Sequence, residues 1–321
     1  MASQQDQVQA ARRRALRRAD DARGPTRLLL LLGATLLLLL LPRDALAAAG
    51  GGGVLVVRSQ DLPPYVAVDQ AFTASIGHGV TRITLGGAPD ALSRALAERP
   101  ALVLALGQEA ARSVAALKPS APVLCALVPF PRKIDGKLIA VPMFAAPQRQ
   151  AQALRQAVPS VKRVGLVYSP ANSRPLADAY AKAAEAAGLV PVRHEVAGLK
   201  DFAGAVRTLV GRVDALWLVP DPTLINAETF KFLVQTSFES KLPLVAYSQA
   251  MVKAGALLAV EAEYADMGRR AGLAGKRLLG GDSGAVPEAP DGALYVNRRS
   301  GGLLGVSLPD AVRAQAAQVF E

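Results

Sequence analysis

Polar side chains able to recognise a small charged solute stand directly after apolar runs in the second half of the chain. Ser169, Asn172 and Ser173 follow the run 164–168. Asp221 follows the run 215–219, between two prolines, and Tyr247 and Ser248 follow the run 244–246. Serine and asparagine both donate and accept hydrogen bonds. An aspartate attracts an ammonium group, and a tyrosine ring offers a flat stacking face. In the first half, Gly107 and Gln108 close the apolar run 101–106 and open an Ala-rich segment. Free N–H groups at such a helix start suit a carboxylate or phosphate, although Glu109 in the first turn opposes an anion. Each position also has a plainer use. Gly107-Gln108 makes an ordinary strand-to-helix turn, Asn172 or Ser173 an N-cap, Asp221 a turn, and Tyr247 a packing ring. Tyr65, in Leu62-Pro63-Pro64-Tyr65, is better suited to packing than to binding.

Catalytic patterns are missing. The sequence contains no G-x-S-x-G elbow, no H-E-x-x-H, no P-loop and no C-x-x-C. Its two histidines, His78 and His194, are far apart, and Cys125 is the single cysteine. No metal or other cofactor, no intramolecular disulfide and no enzymatic activity are therefore expected. Cys125 sits in the apolar run PVLCALV and reads as an inert core residue. Trp217, inside a strand-like run, also reads as core.

The elements that must position these residues follow from hydrophobic periodicity. Short apolar runs alternate with Ala-rich amphipathic stretches from Val54 onward. Runs such as 101–106 and 123–128 are apolar throughout, the pattern of parallel strands buried on both faces. Strand and helix alternate in two series, divided near the polar stretch 147–162. This predicts an α/β protein of two doubly wound parallel-sheet lobes with a central cleft and hinge. In such sheets ligands sit beyond the carboxyl ends of the strands. The expected division is lobe 1 over 54–157 plus about 247–281, and lobe 2 over 158–246 plus about 282–321. The crossing strands are expected near 145–162, 246–256 and 281–295.

Residues 28–41 read LLLLLGATLLLLLL, preceded by basic residues and followed by Pro42 and Ala45-Leu46-Ala47. A basic region, a short apolar core and small residues three and one positions before a cut describe a cleaved secretory signal. Fourteen residues fall short of the about 20 that span a bilayer. Residues 1–47 are accordingly expected to form a signal peptide with a basic N-terminal extension, and the mature chain to start near Ala48, outside the cytoplasm. The formal charge is +11, of which +4 belongs to residues 1–47. The remaining +7 is a moderate excess that fits solvated Arg-rich helix faces. No basic stripe is interleaved with aromatics, so no nucleic-acid partner is expected.

Four segments carry a family resemblance. They are VPSVKRVGLVYSP at 158–170, DALWLVPD at 214–221, LPLVAYS at 242–248 with VKAGAL at 252–257, and YVN at 295–297 with LGVSLP at 304–309. In order and spacing they resemble the extracytoplasmic solute-binding proteins of ABC transporters. Within those, they are similar to the family of type I periplasmic-binding fold related to tryptophan and other amino-acid binders. Leu104–Ala111 resembles that family's first-lobe strand-turn-helix, with Gln108 where a small residue is common. Residues 137–142 replace its usual Asn-Thr-Gly loop. The resemblance implies a monomeric periplasmic protein that captures a small polar, amino-acid-like solute by hinge closure. It also implies an ABC permease of the inner membrane as partner. The ligand-binding set expected from the polar positions after the strands is Gly107, Gln108, Ser169, Asn172, Ser173, Asp221, Tyr247 and Ser248. The alternative is a periplasmic sensory or accessory module with an eroded first lobe that contacts a protein partner and feeds no transporter.

Overall fold

The computed structural model describes residues 52–321, apart from positions 89 and 130. The expected signal segment and its cleavage point lie outside the described residues. Two sheets organise the rest.

The first sheet holds β1 (Val54–Arg58), β2 (Val80–Thr84), β3 (Leu102–Leu106), β4 (Val123–Ala126) and β5 (Leu138–Ala140). All five are parallel, in the order β2-β1-β3-β4-β5. Side chains alternate across it as the strand period requires. Val54, Val56, Leu102 and Leu104 face one helical layer. Leu55, Val57, Val103 and Ala105 face the other. Burial on both faces explains why these runs are apolar throughout.

The second sheet holds β6 (Arg163–Tyr168), β7 (Val190–Glu195), β8 (Ala215–Trp217), β9 (Leu244–Ala246), β10 (Leu258–Glu261), β11 (Ala293–Asn297) and β12 (Gln318–Phe320). The order is β12-β11-β10-β9-β8-β6-β7, with β11 antiparallel to β10 and the other pairs parallel. The predicted fold class of two doubly wound lobes is what the chain adopts. Beyond that class, β11 runs antiparallel to β10, and a short edge strand, β12, is added at the edge of the sheet.

Helices α1 (Pro63–Ile76), α2 (Ala91–Ala97) and α3 (Gln108–Ala116) belong to the first lobe. Two prolines at the first turn preset the α1 backbone, and Gly77 ends it at φ +66°. The Pro-rich stretch before Ile76 is thus helix from its prolines onward. Helices α4 (Pro147–Ala157), α5 (Arg174–Ala186), α6 (Leu199–Leu209), α7 (Ala227–Glu239) and α8 (Gln249–Lys253) flank the second sheet. Then α9 (Tyr264–Leu279) returns to the first lobe, and α10 (Arg298–Leu304) and α11 (Asp310–Gln315) close the second. On α9, Met267 and Ala271 share a core with Phe72 and Ile76 of α1. The two helices approach so closely that a Cβ on Gly268 would lie 2.2 Å from the Val68 carbonyl oxygen. One on Gly272 would lie 2.5 Å from Ser75 Cβ.

The expected division needs correction at two places. The stretch 147–157 is no hinge. It is α4, whose Ala151 and Leu154 share a core with Val164 and Leu166 of the second lobe. Residues 247–262 also stay with the second lobe, because β10 pairs with β9 through Leu258 and Val245. Only α9 crosses back. The crossing segments are therefore 141–146, 261–264 and 280–292, and they run against one another. The Ala146 N–H donates to the Pro290 carbonyl at 2.8 Å. At Gly292, φ +75°, a Cβ would meet Ala145 Cβ at 2.8 Å and the Glu261 carbonyl oxygen at 2.6 Å. The first lobe carries a five-stranded sheet, with β5 formed within the stretch 137–142 that departs from the family pattern.

Candidate ligand-binding site

In the second lobe the polar residues after β6 and β8 form one network. The Ser169 carbonyl accepts from the Asn172 and Ser173 N–H groups at 3.1 and 2.8 Å, so the chain turns tightly into α5. Ser173 Oγ donates to Asp221 Oδ2 at 2.6 Å. Thr223 donates to Asp221 Oδ1 from its N–H at 2.9 Å and from Oγ1 at 2.6 Å. Asn172 Nδ2 donates to Ser169 Oγ at 3.2 Å and to Thr223 Oγ1 at 3.0 Å. Asp221 is 0% exposed and accepts three hydrogen bonds. A carboxylate has about four lone-pair sites, which leaves one. The Asp-Pro-Thr order makes the turn legible in sequence, since an Asp side chain readily accepts from the N–H two residues on. The bonding role of Thr223 itself went unread.

Tyr247, after β9, stands beside this carboxylate. Its phenol is pushed up to about 12, first by burial and then by the negative charge of Asp221. Its ring meets Phe144 edge-on, with centroids 5.4 Å apart. Phe144 lies on the first crossing segment, so the pair ties the mouth of lobe 2 to the hinge. Beneath it, Gln150 of α4 is fully buried. It accepts from Trp217 Nε1 at 3.0 Å and donates to the Tyr180 hydroxyl and the Ala145 carbonyl, each at 3.0 Å. Burial raises the Tyr180 phenol as well. Nothing in the sequence pattern marks Gln150, because its partners come from α5, β8 and the crossing segment.

The first lobe answers with backbone. Ser59, after β1, accepts the Ala110 N–H at 2.9 Å and so caps α3. The Gln108 and Glu109 N–H groups of the first turn have no acceptor among the described residues. Gly107 has φ +92°, and a Cβ there would lie 2.5 Å from Ser59 Oγ and 3.0 Å from the Tyr65 ring. Glycine is therefore required by both conformation and space, and Tyr65 packs over the turn. Gln108 is half-buried beside it.

A side chain of lobe 1 reaches across to lobe 2. Lys133 ends a short 3₁₀ turn, Pro131–Lys133, in the loop after β4. Its Nζ donates to Asn172 Oδ1 at 2.6 Å. Sequence reasoning missed Lys133 because its partner lies 39 residues away on the other lobe. The structure thus brings Ser169, Asn172, Ser173 and Asp221 together, with Tyr247 against them. Gly107 and Gln108 sit on the other lobe at the strand ends. Ser248, next to Tyr247, accepts the Met251 N–H through its Oγ at 3.4 Å and caps α8. His78 bonds the Ile76 carbonyl and His194 the Thr208 hydroxyl. Burial pushes the Cys125 thiol up to about 12. Among the described residues, no three His, Cys, Asp or Glu side chains stand close enough to hold a metal ion. No helix among those residues is long and apolar enough to cross a membrane.

Two doubly wound lobes, three crossing segments and polar groups at the strand ends of both lobes define the bilobal α/β solute-binding class. The ABC transporter substrate binding protein family matches residues 91–320, and the chain belongs to that family. A tyrosine-binding protein of Clostridioides difficile (strain R20291) is 24% identical over 169 residues, covering 52% of this chain and 48% of that protein. The chain thus spans about half the length of the curated relative it matches. An L-Trp complex from Streptococcus pneumonia aligns at a TM-score of 0.54 and 23% identity over 84% of this chain and all of the other. The ligand-free, open structure of a substrate-binding protein with adhesive properties from Clostridium difficile aligns at 0.60 and 18% identity. That alignment covers 84% of this chain and 99% of the other. At these identities the structural likeness concerns the fold.

Proposed function

We propose that the chain is an exported solute-binding protein that captures an amino-acid-like zwitterion between its lobes and delivers it to an ABC permease of the inner membrane. The observation that carries this reading is the opposition of charge across the lobes. Lys133 of lobe 1 reaches a lobe 2 network whose innermost member is the buried carboxylate of Asp221. A ligand ammonium would take the remaining acceptor site of Asp221 as Tyr247 swings aside. A ligand carboxylate would take Lys133 and the free N–H groups of Gln108 and Glu109. Tyr247 and Phe144 supply an apolar wall for a side chain. The tyrosine and tryptophan named for similar proteins point to the same ligand class. Lobe closure follows because a bridging ligand gains contacts to both lobes only in the closed form.

A thermal-shift screen of residues 48–321 against the amino acids, followed by calorimetry, tests the proposal. Binding raises stability by RT ln(1 + [L]/Kd), about 2.7 kcal/mol at a hundredfold excess over Kd. The expected result is a dose-dependent rise for a subset of amino acids, absent for their amides and N-acetyl forms. No rise for any amino acid from the folded protein would overturn it.

A further inference from the structure

We infer that lobe 1 carries a second binding site, at the amino-terminal ends of its strands, for a single-chain amphiphilic anion such as a free fatty acid. A cavity of about 810 Å³ opens there, far larger than the roughly 280 Å³ cavity behind the hinge. It lies within the 300–1,000 Å³ range of small-molecule sites. Its lining is mostly apolar and comes from three separate elements. Pro119 and Val123 lead into β4, Leu138 and Ile139 form the edge strand β5, and Leu278 belongs to the last turn of α9. The site is separate from Gln108, which stands at the carboxyl end of β3, because it lies at the amino-terminal ends of β4 and β5.

Charge selects the occupant. Two lysines, Lys118 and Lys137, stand on the rim, and no Asp or Glu lines the cavity. Neither lysine makes an ion pair or a hydrogen bond with a described residue, so both ammonium groups are available to a ligand. Lys118 also holds the left-handed position after α3, φ +46°, where glycine is the usual residue. An apolar trough with two uncommitted cations at its lip fits one carboxylate head and one hydrocarbon tail. The floor at Leu278 and Gly281 is where α9 gives way to the third crossing segment, so an occupant would touch the hinge as well.

Calorimetry with the mature chain, using decanoate, laurate and myristate below their aggregation concentrations, tests this. Affinity is expected to rise about fourfold per methylene, the equivalent of ~0.8 kcal/mol. Dodecanol and dodecylammonium should bind at least tenfold more weakly than laurate. Lys118→Glu with Lys137→Glu should weaken laurate at least tenfold, and Ser120→Trp, which fills the trough from an exposed loop position, should abolish binding. Circular dichroism and the amino-acid response in the cleft show whether these variants still fold. Equal binding of laurate and dodecanol would overturn the proposal. So would laurate bound only at aggregating concentrations, capture by anionic vesicles without monomer binding, or concentration-dependent dimers that Ser120→Trp disrupts.

Discussion

The mouths of the two lobes solve the same problem with different materials. Lobe 2 presents side chains already bonded to one another, with Asp221 at the centre and Ser173, Thr223 and Asn172 around it. Lobe 1 presents a helix start trimmed by Ser59 and the reaching cation Lys133. The cores differ in the same sense. Lobe 2 is built around Trp217 and Tyr180, rings 4.6 Å apart and pinned by Gln150. Lobe 1 depends on glycines that let α9 lie against α1. A rigid, prebonded half can hold a ligand first, and a half of small residues and backbone donors can close upon it. Under the proposed hinge closure, this division would leave few side chains of lobe 1 to be reordered.

Four changes would break or sharpen that contrast. The largest effect is expected from Gly272→Leu, whose side chain must enter the space of Ser75 Cβ and the Phe72 carbonyl oxygen. Overpacking of this kind costs about 3 kcal/mol or more where backbone is the obstacle. Urea unfolding should then show lobe 1 melting first, with lobe 2 retaining its Trp217 signal. A single transition shared by both lobes would mean that they fold as one unit.

Asp221→Asn comes next. It keeps size while removing charge, so zwitterion binding should weaken by about 1–3 kcal/mol, as expected for loss of a charged hydrogen-bond partner. Calorimetry checks it, and unchanged affinity would confine Asp221 to its turn.

A smaller effect lies in the alkaline range. The Tyr247 phenol is raised in the folded state, so the folded protein binds more protons than the unfolded chain between pH 10 and about 12. Stability from this group is complete below pH 10 and is lost as pH rises towards 12. Tyr247→Phe should flatten that part of the profile by about 1 kcal/mol, allowing for partial solvent access. Urea midpoints from pH 9 to 12 measure it.

The smallest effect is expected at Lys133→Ala. An exposed hydrogen bond to Asn172 contributes under about 1 kcal/mol to stability. Small-angle scattering should nonetheless show a larger radius of gyration without ligand, because a cross-lobe contact is gone. An unchanged radius would mean that the crossing segments alone set the opening.

Much of this was legible in the residues, and the failures have physical causes. Strands such as Leu102–Leu106 and Ala215–Trp217 were readable because parallel strands buried on both faces need continuous apolar runs, whereas the short edge strands β5 and β12 were not. The strand-end positions of Ser169, Asp221 and Tyr247 follow from those runs. The start of α1 is hard to read from sequence because two prolines look like a loop until their place in the first turn is known. The allocation of α4 and β10 was misjudged because a strand's neighbour is chosen by tertiary pairing, and order along the chain does not reveal it.

Residue chemistry and period by themselves determined two series of β and α elements, small polar groups at strand ends, one unreactive cysteine and no catalytic motif. Tertiary structure alone decided which sheet claims β10, and that Gln150 rather than a hydrophobe fastens Trp217. It also decided that Lys133 faces Asn172 across the lobes. Local pattern reflects burial and backbone geometry, which act over a few residues. Partnership between groups dozens of residues apart depends on how the layers stack, and that is settled only when the whole core packs.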